Sequence, residues 1–222
     1  MKADFFILDS NHLSRFKYIF QEAIRDKILV LRILFESIDY ILHLPKSDRY
    51  LNNYNSIGDY AIILSINKHS RIIFYSKQKI FSIVLPFTYF NDKKTYEFYF
   101  NSILINSGIV SYIREFLDML SKDGNTSFLD EIMEFYTNNP KKDSDKDNAI
   151  IILSDLILLE DGYIRYDYDP EHENGNLHPL HHYDIFYQNK NTFKIGLKSA
   201  IGCKEFIELL DCTEERSFLS KL

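Results

Sequence analysis

Apolar positions recur at helical spacing over residues 10–25: Leu13, Phe16, Phe20 and Ile24 fall on one stripe, and Asp9 or Ser10 can cap the start. Residues 28–43 read both ways. Ile28-Leu29-Val30-Leu31 suggests a strand, whereas Leu34, Ile38 and Ile41 suggest a helix. A polar loop over 46–58 leads to three strand-like runs, Tyr60–Ile66, Arg71–Ser76 and Ile80–Leu85. Their short polar connectors, Asn67-Lys68-His69-Ser70 and Lys77-Gln78-Lys79, predict antiparallel hairpins. Ile109, Ile113, Phe116, Leu117 and Leu120 predict a helix over 107–121, with Gly124 just past its end. A second helix is expected over 127–137, capped by Thr126 or Ser127, with Asp130 and Glu131 in its first turn. Residues 138–148 are polar and repetitive, and are read as a surface loop in preference to a domain boundary.

The remainder reads as strand-rich. Ala149–Leu159 is almost continuously apolar, and Tyr163–Asp169, His181–Tyr187 and Phe193–Leu197 alternate. A short helix over 203–211 uses Phe206, Ile207 and Leu210. The expected class is therefore α+β: a mainly antiparallel sheet with N-terminal and central helices packed against it. Residues 1–222 are expected as one domain, with a loop or sub-boundary at 138–148. The four C-terminal runs, 149–159 included, should share one sheet.

Composition narrows the function classes. Apolar residues make up 45% and charged residues 26%, which excludes disorder of the whole chain. The sixteen Tyr suit half-buried strands and binding surfaces. A formal net charge of −6 gives no global basic field for nucleic acid, leaving a local basic patch or a basic partner protein open. Cys203 and Cys212 form neither a disulfide framework nor a zinc knuckle, and are read as reduced, packed thiols. The longest apolar run, Ile28–Phe35, is interrupted by Arg32, so no membrane span is expected. Met1-Lys2-Ala3-Asp4 lacks a signal-peptide pattern, and a cytoplasmic location is expected.

Candidate chemistry concentrates between Arg165 and Lys198, where His172, His178, His181 and His182 stand among aspartates. The two-residue strand period sorts these side chains. Arg165, Asp167 and Asp169 fall on one side of their strand, His182 and Asp184 on one side of the next, and Lys194 and Lys198 on one side of the last. If the strands are neighbours, these groups share a polar face. Tyr166, Ile185 and Ile195 then share a buried one. Three readings compete. In metal-independent phosphodiester chemistry, His178, His181 or His182 act as acid and base, with Arg165 and Lys194 stabilising phosphoryl charge and an aspartate orienting a tautomer. The neighbouring carboxylates are expected to raise the His182 pKa. In metal binding, His178, His181, His182, Asp167, Asp169 and Asp184 are possible ligands. No recognised spacing appears, however, and adjacent histidines on a strand point apart, so no metal or cofactor is assigned. In the third reading the segment is a solvated face with ordinary turn signals at Asp169-Pro170 and Asn174-Gly175. Gly-rich phosphate loops and nucleophile elbows are absent from the sequence. Tyr96, Phe98, Phe100, Phe87 and Tyr89 are read as core in preference to a base-stacking surface.

The runs Ile164-Arg165-Tyr166-Asp167-Tyr168-Asp169, His178-Pro179-Leu180-His181-His182-Tyr183-Asp184-Ile185 and Thr192-Phe193-Lys194-Ile195-Gly196-Leu197 resemble, in order and spacing, the C-terminal signature of a bacterial family, the domain of unknown function numbered 2290. Some small toxins of toxin–antitoxin modules carry a similar Arg-Tyr-Asp followed by a His-rich turn. The resemblance implies a bacterial defence or toxin–antitoxin setting with a protein partner encoded nearby. The expected function is a nucleic-acid-binding or nucleic-acid-cleaving component, a metal-independent nuclease if it is an enzyme. Arg165, Asp167, His178, His181, His182 and Lys194 are its candidate catalytic residues, and Asp169 and Asp184 its binding residues. The alternative is a noncatalytic acidic or antitoxin-like subunit that binds another protein.

Overall fold

A computed structural model describes residues 2–44, 57–66, 69–92, 95–122, 128–138, 142–211 and 213. Gly124, Thr126, Ser127, Cys212 and most of the expected 46–58 loop lie outside them. The described chain is α+β and divides into two compact units: Met1–Arg25, Ser47–Leu85 and Asp161–Leu222 form the first, Asp26–Lys46 and Pro86–Glu160 the second. None of the junctions falls at 138–148, the sub-boundary expected within a single domain.

The first unit is built on a seven-stranded antiparallel sheet. Its strands are β1 (Lys2–Ile7), β2 (Tyr60–Ile66), β3 (Arg71–Ser76), β4 (Lys79–Val84), β8 (Ile164–Tyr168), β9 (His181–Ile185) and β10 (Phe193–Gly196), side by side in that order. The three hairpin runs and the three C-terminal alternating runs form strands as expected, whereas β1 was not anticipated. On one face Phe5, Ala61, Ile63, Ile73, Ile80 and Tyr166 form a core with Cys203, Phe206 and Ile207 of helix α6 (Cys203–Leu210). Ile185 and Ile195 lie on the Tyr166 face but are only half-buried, because β9 and β10 are the last strands of the sheet.

The other face changes chemistry along its width. One lateral row runs Phe6, Ile62, Phe74, Phe81, Arg165, Asp184, Lys194; it is apolar through β4 and charged from β8 onward. The neighbouring row places Lys79, Asp167, His182 and Gly196 side by side. Helix α1 (Ser10–Gln21) covers the apolar part. Asp9 caps it by accepting from the amides of Asn11 and His12, and Phe20 meets Tyr60 at 5.0 Å. The helix stops at Gln21, short of the expected 25. There Lys79 of β4 donates to the carbonyls of Ile19 (3.0 Å) and Glu22 (2.5 Å), satisfying acceptors that a helix end leaves open.

The second unit contains helices α2 (Lys27–His43), α3 (Ser107–Lys122), α4 (Phe128–Asn138) and α5 (Ser144–Leu158), with a small sheet of β5 (Thr88–Asn91), β6 (Tyr96–Phe100) and β7 (Ile103–Leu104). The ambiguous 28–43 run is a helix, capped by Asp26 accepting from the Leu29 amide. The strand expected at 149–159 is also a helix. Asp143 caps it, Asp145 and Asp147 sit in its first turn, and Ala149, Ile152, Leu153 and Leu156 are buried at helical spacing. Its isoleucines mimic a strand because a continuous apolar run carries no period of its own. Phe87, Tyr96, Phe98 and Phe100 are buried, as expected of core.

Candidate functional site

The polar end of the sheet gathers Arg165, Asp167, His182, Asp184 and Lys194 into one hydrogen-bonded cluster. Arg165 Nε donates to Asp167 Oδ2 at 2.7 Å, and its Nη2 pairs with Asp184 Oδ2. Lys194 Nζ donates to Asp184 Oδ1 (2.8 Å) and to His182 Nε2 (2.9 Å), so Asp184 bridges the two cations. His182 Nδ1 donates to the Pro179 carbonyl at 2.8 Å. That close approach of the turn depends on Gly196, the register partner of His182: a Cβ there would stand 2.9 Å from Pro179 Cγ.

Both His182 nitrogens are thus used, and its side chain has no exposed surface. Burial, followed by the Lys194 charge, lowers its pKa from the usual 6.5, overriding the Pro179 bond and the two carboxylates. The sequence expectation was a raised value. It fails because the carboxylates do raise the value, as does the Pro179 bond, but burial of the ring, with the Lys194 charge beside it, outweighs them. At Arg165, burial opposes the charge, but Tyr163, Asp167 and Asp184 outweigh it and hold the guanidinium ionised. Tyr163 sits at the cluster's base, its hydroxyl 3.4 Å from Arg165 Nη1, and burial pushes it up to about 12. Burial and the Arg165 charge bring Lys79, the register partner of Asp167, down to about 8. With His182 neutral, Arg165 and Lys194 balance the Asp167 and Asp184 carboxylates, and the Lys79 ammonium is engaged by the Ile19 and Glu22 carbonyls.

The turn between β8 and β9 holds a second arrangement. Asp169 accepts from His172 Nδ1 (2.9 Å) and His178 Nε2 (3.1 Å). Each ring presents its opposite nitrogen elsewhere. Partial burial works the other way, yet the His172 hydrogen bonds and the two imidazoles hold the Asp169 carboxyl below its ordinary value. His178 meets His182 edge-on at 4.9 Å, linking the turn to the buried cluster, and His172 lies 6.1 Å from His178. His181 goes to the opposite face, its Nδ1 2.9 Å from the Tyr166 hydroxyl and its ring stacked on Tyr168.

Asp167, His182 and Asp184 offer ligand atoms within 4.8 Å of one another. They fit a cation poorly as arranged, because the Lys194 ammonium already bonds two of them. In the second unit, Asp39, His43 and Ser107 stand in a row: His43 Nδ1 is 3.2 Å from Asp39 Oδ1, and its Nε2 is 3.3 Å from Ser107 Oγ. The shorter Nδ1 contact, 2.7 Å, is to the Asp39 carbonyl one helical turn back, which makes His43 a cap of the α2 C-terminus. The Cys203 thiol is buried and pushed up to about 12, which leaves it unreactive.

No family model, no curated protein and no solved structure matches this chain. None of its helices, among the described residues, is long and apolar enough to cross a membrane.

Of the residues singled out in the sequence, Arg165, Asp167, His182, Asp184 and Lys194 come together, with His178 and Asp169 adjoining them. His181 stands apart. Sequence reasoning left out His172 as a partner of Asp169, together with Lys79, Tyr163 and the close approach at Gly196. The His172–Asp169 spacing was a readable signal. The Lys79–Asp167 neighbourhood was not, since it depends on which strand flanks β8.

Proposed function

We propose that the chain is a nucleic-acid-cleaving component of a bacterial anti-phage defence or toxin–antitoxin system, acting on the phosphodiester backbone without a metal. The setting rests on the resemblance of residues 164–197. The chemistry rests on one observation: a single carboxylate, Asp169, holds two imidazoles, the exposed His172 and the half-buried His178, beside the Arg165–Asp184–Lys194 cluster. A carboxylate that fixes one ring nitrogen leaves the other aimed as acid or base. On RNA, one imidazole takes the proton of the 2′-hydroxyl as the new P–O bond forms. The other, as imidazolium, gives its proton to the 5′ oxygen as that P–O bond breaks. Lys194, at the open side of the cluster, meets the phosphoryl charge. His182 positions it directly, and Arg165 positions it through Asp184.

The test is cleavage of a labelled RNA and its DNA counterpart in EDTA. The expected result is RNA cleavage that survives the chelator and falls by roughly a hundredfold or more in both His172→Ala and His178→Ala, with denaturation midpoints unchanged. Intact RNA with the wild-type protein, or undiminished rates in both variants, overturns the proposal.

One observation favours a noncatalytic, partner-binding reading instead. Ile151 and Leu158, two turns apart on α5, are 51% and 87% exposed. In that case Ile151→Lys and Leu158→Lys abolish copurification with the neighbouring gene's product, and the histidine variants keep full phage protection or toxicity.

A further inference from the structure

The outer face of the small sheet in the second unit carries Thr88, Phe90, Glu97, Tyr99 and Leu104, each at least partly exposed. Alternation and register bring them together: Phe90 is the direct partner of Glu97, and Tyr99 stands between Thr88 and Leu104 in the next row of the same face. The alternates Tyr96, Phe98 and Phe100 are buried on the inner face, which supplies the core. The outer rings add nothing to that core. Phe90 is 61% exposed and Leu104 45%. The Phe90 and Tyr99 rings meet at 5.7 Å between centroids, with their planes at 84°. Glu97 lies beside both, opposite Phe90 in register and accepting the Tyr99 hydroxyl on Oε2 at 2.9 Å. Among the described residues no cation pairs with this carboxylate.

That single charge, on the same face as the rings, identifies the occupant. A carboxylate among exposed rings repels phosphate, which sets the face apart from a base-stacking surface. A wholly apolar partner would bury the carboxylate without a counterion. An arginine satisfies both features, because its planar guanidinium stacks on an aromatic ring and its fork of N–H donors matches a carboxylate. Leu104 extends the apolar surface past Tyr99, which calls for an apolar side chain near the cation. An open strand face suits an extended segment, whereas small molecules are held in concave sites.

We propose that Phe90, Glu97, Tyr99 and Leu104 form a docking surface for an extended segment of a protein partner, which presents an arginine to the rings and carboxylate and an apolar side chain to Leu104. The surface lies in the second unit, and its fate is separate from that of the histidine chemistry. The experiment is an NMR titration of the full chain, isotope-labelled at Phe, Tyr and Leu, with the hexapeptide Thr-Leu-Thr-Arg-Thr-Thr. The same peptide with citrulline in place of arginine, choline, and an oligouridylate are titrated in parallel. Glu97→Gln keeps an acceptor for the Tyr99 hydroxyl and removes only the charge, and Phe90→Thr suits an exposed strand, so both keep the fold. The expected result is that the arginine peptide alone shifts the Phe90, Tyr99 and Leu104 resonances saturably, less so at high salt. Each variant should weaken that binding about threefold or more. No saturable shift, equal binding of the citrulline peptide, or wild-type affinity in both variants overturns the proposal. An equal response to choline assigns the face to a small organic cation, and a response to the oligouridylate assigns it to nucleic acid. Either of those also overturns it.

Discussion

With Nδ1 donating to Pro179 and Nε2 accepting from Lys194, His182 has no lone pair left for a proton, and its burial makes a new charge there expensive. The unfolded chain has no such restriction and protonates this histidine as pH falls through about 6.5. Below that value the unfolded state binds more protons than the folded one. The His182 contribution to stability is therefore fully present above 6.5 and is lost as pH falls below it towards the depressed folded value. Urea midpoints measured at about pH 7.5 and about pH 5.5 should drop for the wild type, and by less for His182→Gln. Equal drops in the two proteins would refute the buried neutral histidine. The convergence around it was legible from the two-residue period alone, since alternation fixes Arg165 with Asp167 and His182 with Asp184. Its charge state was not. That depends on burial of the ring, which the turn folding down against Gly196 helps to complete, and on the Lys194 charge beside it.

At the scale of elements, short polar connectors made the β2–β3–β4 hairpins readable, and strict alternation did the same for β8, β9 and β10. Where a run was continuously apolar, as at 149–159, residue type pointed to a strand while the flanking acids pointed to a helix. The flanks decided it: Asp143 accepts from the Asp145 amide at 2.9 Å and also receives the Tyr112 hydroxyl at 2.8 Å. The Tyr112 bond and the capping amides hold its carboxyl below the ordinary value. An isoleucine-rich helix has little intrinsic propensity to spare, so its cap matters. Asp143→Ala should lower the chemical-denaturation midpoint, whereas Asp143→Asn should lower it less because asparagine caps nearly as well. Strand β1 escaped notice because six residues with a single clear alternation give too little pattern beside the strong helix signal that follows.

For the whole molecule, the chain enters the second unit twice, once as Asp26–Lys46 and once as Pro86–Glu160. One junction, Lys46/Ser47, falls in the polar 46–58 run read as a loop, whereas those at 25/26, 85/86 and 160/161 fall in short connections between well-formed elements and carry no sequence mark. The first visit delivers α2, which buries Val30, Leu31, Ile33, Leu34, Phe35, Ile38, Tyr40 and Ile41. Its ties to the second visit are specific: Phe35 meets Phe87 at 5.7 Å, Arg32 pairs with Asp118 at 2.5 Å, and Asp39 receives Arg114 at 3.4 Å. Removing those eight side chains forfeits on the order of 10 kcal/mol of burial, as much as a whole small domain's net stability. Residues 86–160 are contiguous and bring four of the unit's elements besides helices α3 and α5, yet they should not fold alone. Expressed by themselves they should show no cooperative unfolding, whereas a chain joining 26–46 to 86–160 through a flexible linker should regain it, since closing a longer loop costs little. Cooperative melting of 86–160 without α2 would mean that the second unit is organised around α3 and α5 alone, and that α2 is an addition to its core and not a part of it.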